Sequence, residues 1–121
     1  MSKPIIAVGT DLLFSSKIHE ASTQTGIKVE FARRPEDVLA KVRAFHPAWL
    51  LIDLNSQRVN ALDVISGVRA EAELDSIQIL GFISHIQKEL RQAALQAGCS
   101  KVIPRSEFSA RLPELLLELS V

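Results

Sequence analysis

The sequence predicts an α/β fold: a parallel sheet with helices on both faces. Two runs, Ile5–Val8 and Trp49–Ile52, are apolar at every position, the pattern of strands buried on both sides. Strand-like runs alternate with helically spaced segments along the whole chain, five of each. The connections between them are short, which favours right-handed crossovers and parallel pairing.

Taken in order, Ile5, Ile6, Ala7 and Val8 make the first strand, ended by Gly9. Leu12, Phe14, Ile18 and Ala21 then fall at helical spacing, and Gly26 is a C-terminal stop. Lys28–Ala32 alternates around Val29 and Phe31, as an edge strand with one wet side does. Pro35 followed by Glu36 and Asp37 is a helix start, with proline at the first helical position and acids at the positive end of the dipole. Val38, Leu39, Val42 and Phe45 are its buried stripe, and Pro47 marks its end.

Trp49–Ile52, closed by Asp53, is the central strand. Asn60 caps a helix with an inner face of Leu62, Ile65, Val68 and the stem of Arg69, running to about Ala72. Ile77–Ile83 is the fourth strand. Leu90, Ala93, Ala94 and Ala97 mark a helix stopped by Gly98, and Lys101–Pro104 is a short last strand. Ser109 or Pro113 opens a final helix whose Leu112, Leu115, Leu116 and Leu119 lie on one face, leaving Leu117 outside it.

Composition narrows the function classes. The 121 residues suit one domain, spanning 1–121, with 47% apolar and 23% charged side chains. Lysine plus arginine equal aspartate plus glutamate at 14 each, so no positive field draws the chain to nucleic acid or anionic lipid. Apolar runs fall far short of the roughly 20 residues that span a bilayer, and no signal-peptide pattern follows Met1, so a cytoplasmic protein is expected. Cys99 is alone and reads as a packing residue. His19, His46 and His85 share no metal-ligand spacing, and His85 alone lies near the strand ends. Phosphate-binding glycine motifs are absent.

The stretch Pro47–Ile65, with Asp53 closing the central strand and Asn55 two residues on, resembles the phospho-acceptor region of response-regulator receiver domains. Gln96–Gly98 ahead of the last strand resembles the same family, and the likeness covers almost the whole chain. It implies a flavodoxin-like, receiver-type fold: five parallel strands in the order 2-1-3-4-5, with the site at their carboxyl ends. It also implies that Asp53 is the candidate phospho-acceptor, assisted by Mg²⁺.

Several positions depart from the family pattern. Gly9 and Thr10 stand where an acidic pair would hold the metal, and Asp11 comes one residue late. Asp11 and Asp53 are therefore the only candidate metal ligands, for a weakened Mg²⁺ site. Asp11 has a second reading, an N-cap for the first helix. Arg105 takes the place of the phosphoryl-pairing lysine, either clamping Asp53 or standing on the surface without a set partner. The switch hydroxyl falls at Ile83, with Ser84 displaced by one position, and the aromatic switch partner is Val102.

These departures point to a regulatory, receiver-like module of a two-component phosphorelay that acts through a protein partner: a regulator, kinase or effector. No cofactor is required, and neither nucleic acid nor membrane is bound directly. Two alternatives remain, a working phospho-acceptor with an atypical metal site at Asp53, and a flavodoxin-like small-molecule binder. The expected interaction face lies around Arg111, Leu116, Leu117 and Glu118, where a homodimer is one open outcome.

Overall fold

The computed structural model describes residues 3–84 and 87–120. Five parallel strands, β1 (Ile5–Val8), β2 (Val29–Ala32), β3 (Trp49–Asp53), β4 (Gln78–Ile83) and β5 (Lys101–Pro104), form one sheet in the order 2-1-3-4-5. Among the described residues six α-helices connect and flank them: α1 (Leu12–Thr25), α2 (Pro35–Phe45), α3 (Ala61–Arg69), α4 (Lys88–Ala97), α5 (Arg105–Ala110) and α6 (Leu112–Leu119). The flavodoxin-like arrangement expected from the sequence is thus the one observed.

Strand alternation divides the core into two layers. Ile6, Val8, Leu50, Ile52, Ile79, Ile83 and Val102 pack against α2, α3 and α4 through Val38, Val42, Val64, Ile65, Val68 and Ala94. Ile5, Ala7, Leu51, Leu80, Phe82 and Ile103 face the other way, onto Phe14 and Ile18 of α1, Phe108 of α5, and the leucines of α6. The first layer is almost wholly aliphatic. The second contains a triangular cluster of three aromatic rings, with centroids 5.5 Å apart for Phe14–Phe82, 4.2 Å for Phe82–Phe108 and 6.1 Å for Phe14–Phe108.

Three expectations are corrected. Leu12 is 73% exposed, because the inward stripe of α1 begins at Phe14 and continues through Ile18 and Ala21. In α3 the fully inward positions are Ala61, Val64, Ile65 and Val68. Leu62 is only partly buried, and the helix ends at Arg69, ahead of a short 3-10 turn at Ala72–Leu74. The C-terminal helix is two helices, the first starting at Arg105 rather than at Ser109 or Pro113. Pro113 has no N–H to give the Ser109 carbonyl, so the ladder cannot run through and is divided at Arg111.

Candidate functional site

Asp53 ends β3 and pairs in register with Phe82, so its side chain belongs to the aromatic face of the sheet. It is 3% exposed, yet both carboxylate oxygens have partners. Oδ1 accepts the main-chain N–H of Asn55 at 2.9 Å, an Asx-type turn closed by the chain itself. Oδ2 accepts Nη2 of Arg105 at 2.7 Å across 52 residues of sequence. Of the two readings of Arg105, the clamp is therefore the observed one.

Arg105 opens α5, just beyond β5, which brings it over the strand ends. Its guanidinium carbon lies 4.5 Å from the centre of the Phe14 ring and 5.9 Å from that of Phe82. A guanidinium is planar and weakly hydrated, so it can lie on an aromatic face while its edge donates to a carboxylate. The side chain is 27% exposed, but Nε is buried and has no hydrogen-bond partner among the described residues. Burial pushes the Asp53 carboxyl above its ordinary value. The Asn55 N–H and the Arg105 charge oppose that rise, while the nearby Asp11 charge adds to it.

The loop after β1 supplies the rim. Gly9 has φ of +72°, and a Cβ there would sit 2.8 Å from both Ser56 Oγ and Val59 Cγ2, so this position needs glycine twice over. Thr10 is buried and its hydroxyl pairs with that of Ser15 at 2.7 Å. Asp11 is exposed and caps α1, accepting the Phe14 N–H on Oδ1 at 2.8 Å. Gly9, Asp11, Asp53, Asn55, Arg58 and Arg105 line one cleft of about 490 Å³.

The residues present do not suit Mg²⁺, which demands near-octahedral coordination by oxygens. Gly9 and Thr10 bring no carboxylate to the cleft, Asp11 has committed one oxygen to its cap, and the Asp53 carboxylate already faces a guanidinium. No group of three or more acidic, histidine or cysteine side chains among the described residues is placed to hold a metal ion.

Ile83 and Val102, the positions expected from the family resemblance to carry the switch residues, are apolar. Ile83 and Val102 are buried in the aliphatic layer, on the side of the sheet opposite Asp53. Ser84 meets the site through its main chain, its N–H donating to Asn55 Oδ1 at 2.8 Å. His85 lies outside the described residues. Sequence reasoning missed Gln87, whose Oε1 accepts Asn55 Nδ2 at 2.9 Å, and the aromatic platform beneath Arg105. Strand parity could have placed Phe82 beside Asp53. No local pattern marks Gln87, because its partner is 32 residues away.

The expected interaction face is partly corrected. Leu116 is fully buried with Leu112, Leu115 and Leu119 and cannot belong to a surface. Leu117 is 49% exposed. Arg111 lies among three carboxylates, those of Glu107, Glu114 and Glu118, at 3.5, 3.6 and 2.7 Å. Among the described residues no helix is long and apolar enough to cross a membrane.

No family model matches the chain. Its fold is nonetheless that of several solved structures. The phosphorylated cyanobacterial phytochrome response regulator RcpA superposes with a TM-score of 0.81 at 18% identity, covering 98% of this chain and 91% of that one. The chemotaxis response regulator CheY4 of Vibrio cholerae gives 0.82 at 17% identity, covering 98% and 99%. A signal receiver domain of a response regulator from Bermanella marisrubri gives 0.81 at 25% identity, covering 98% of each chain. The chain is thus built on the receiver-domain fold of response regulators.

Proposed function

We propose that this protein is a regulatory receiver-type module of a two-component system, acting by binding a protein partner with no phosphorylation step required. The observation that carries this reading is the Arg105–Asp53 pair at 2.7 Å. In this arrangement the carboxylate that would attack a phosphoryl group already has a permanent cation and an N–H on its two oxygens. An arginine stays protonated at any physiological pH, so the pair needs no metal or covalent change to persist. Protein partners in this role are a kinase, a regulator or an effector, and the module binds rather than catalyses. The exposed side of α6 around Leu117, Arg111 and Glu118 supplies a mixed apolar and charged surface of the kind used in such contacts.

A second reading is favoured by one observation: Asp11 and Asp53 line the same cleft. In it Arg105 turns outward and leaves the Asp53 carboxylate open to act as a phospho-acceptor, with Asp11 as the second carboxylate of the cleft.

Amide NMR spectra with Mg²⁺, and then with beryllofluoride as a phosphoryl mimic, separate the two. Spectra unchanged around Asp53, Asn55 and Arg105 are expected. Saturable shifts that begin at Asp53 and extend into β5 would replace the first reading with the second.

A further inference from the structure

Asn55 is the point where the Asp53–Arg105 pair meets the start of α4. Its main-chain N–H donates to Asp53 Oδ1 at 2.9 Å. Its side-chain Oδ1 accepts the Ser84 N–H at 2.8 Å, just beyond β4, and its Nδ2 donates to Gln87 Oε1 at 2.9 Å. Gln87 precedes the first helical residue of α4, and its carbonyl accepts the Arg91 N–H at 2.9 Å. A continuous chain of hydrogen bonds thus runs from Arg105 through Asp53, Asn55 and Gln87 into the first turn of α4.

Ile83 and Val102 have no side-chain polar atom and face the other layer of the core. A side-chain hydrogen-bond route from Asp53 through those two positions is therefore unavailable. The carboxamide of Asn55 is bonded at both ends, so it has one orientation that satisfies Ser84 and Gln87 together. Part-buried polar chains of this kind strengthen one another, and losing one link weakens the next.

We propose that Asn55 is the positioning residue that couples the Asp53–Arg105 pair to the first turn of α4. Releasing Arg105 loosens the Asp53–Asn55 turn, then the Ser84 and Gln87 contacts, and so the α4 side of the cleft of about 620 Å³ that Gln87, Lys88 and Arg91 line against β5. This rests on the standing ion pair of the preceding section.

The test is hydrogen exchange of the Ser84 and Arg91 amides in the whole chain, normalised to Ile52 in the central strand so that global opening is removed. Arg105→Gln is expected to speed exchange at both amides about fivefold, the effect of one lost hydrogen bond. Asn55→Ala is expected to do at least as much, and the double variant to add nothing further, as for residues in one network. Gln87→Ala is a second probe should Asn55→Ala fail to fold. It is expected to speed exchange at Arg91 while leaving the Asp53 carboxyl resonance in place.

Additive effects in the double variant, or normal Arg91 exchange in Gln87→Ala, would overturn the coupling. So would normal exchange at both amides in an Arg105→Gln variant whose Asp53 carboxyl resonance has moved, since the pair would then exist without transmitting. If that resonance does not move, the ion pair itself is absent in solution and the proposed function falls with it.

Discussion

Arg69 and Arg105 hold opposite ends of the same sheet in opposite ways. At the amino ends of the strands, Arg69 donates to the carbonyls of Gly98 at 2.9 Å, Ile77 at 2.6 Å and Asp75 at 3.2 Å, all neutral main-chain oxygens. Its stem lies so close to Gly98 that a Cβ there would come within 2.4 Å of Arg69 Cγ. At the carboxyl ends, Arg105 has one carboxylate, the rings of Phe14 and Phe82, and a buried Nε without a partner among the described residues. Main-chain carbonyls cannot be titrated or modified, so the first arginine is a permanent clamp joining α3 to β4 and the α4–β5 turn. The second depends on the state of a single carboxylate, which is what a regulated contact requires.

The contrast can be broken at several points. The largest effect is expected from Phe82→Ala, which removes the ring that stacks on both Phe14 and Phe108. Urea unfolding should show a loss of about 4 kcal/mol, with faster local motion of Arg105 in side-chain NMR. Next comes Arg69→Ala, which strands carbonyls of the β4 and β5 approaches and should lower stability by about 3 kcal/mol. Its resonances around Asp53 should stay in place, because the two arginines lie at opposite ends of the sheet and share no partner.

Removal of either partner of the ion pair is expected to be unequal in effect. Arg105→Gln leaves a buried carboxylate without its counter-charge and should lower stability by about 2 kcal/mol, whereas in Asp53→Asn the part-exposed guanidinium can turn to water, at a cost of about 1 kcal/mol. Equal losses would mean that Asp53 is less enclosed than described.

Acid titration sharpens the same point. The folded Asp53 carboxyl lies above its ordinary value of 3.8, so the folded state holds the proton more tightly than the unfolded one. Its contribution to stability is therefore greatest below 3.8 and diminishes as pH rises to the folded pKa. Arg105→Gln removes an opposing influence, so the carboxyl should titrate higher still when followed by ¹³C NMR. A downward move would sink the ion pair. The smallest effect belongs to Leu117→Ser, within about 0.5 kcal/mol, as expected for an exposed position outside the core. If Leu117 serves in self-association, light scattering of the unaltered chain at high concentration should exceed one chain mass, and this variant should restore it.

Much of the fold was legible because strand and helix periods are local. Ile5–Val8 and Trp49–Ile52 could hardly be anything but buried strands, and Leu112, Leu115, Leu116 and Leu119 marked their own buried stripe. The same stripe should have kept Leu116 off the interaction face, where proximity to Leu117 in sequence misplaced it. The division between α5 and α6 was missed because Arg105–Ala110 has too few turns to show a period, and its start depends on where β5 ends.

By itself the sequence determined the order of the strands and the parallel sheet, which follow from patterns within a few residues, while Asp53 was singled out by the resemblance of its surroundings to receiver domains. It also determined that Gly9, Thr10, Ile83 and Val102 bring no charge to the strand ends. Only the tertiary structure decided that Arg105 turns onto Asp53 rather than into solvent, and that Asn55 reaches Gln87. Those contacts span 52 and 32 residues, and hydrogen-bond geometry at such separations is set by how strands and helices pack, not by spacing along the chain.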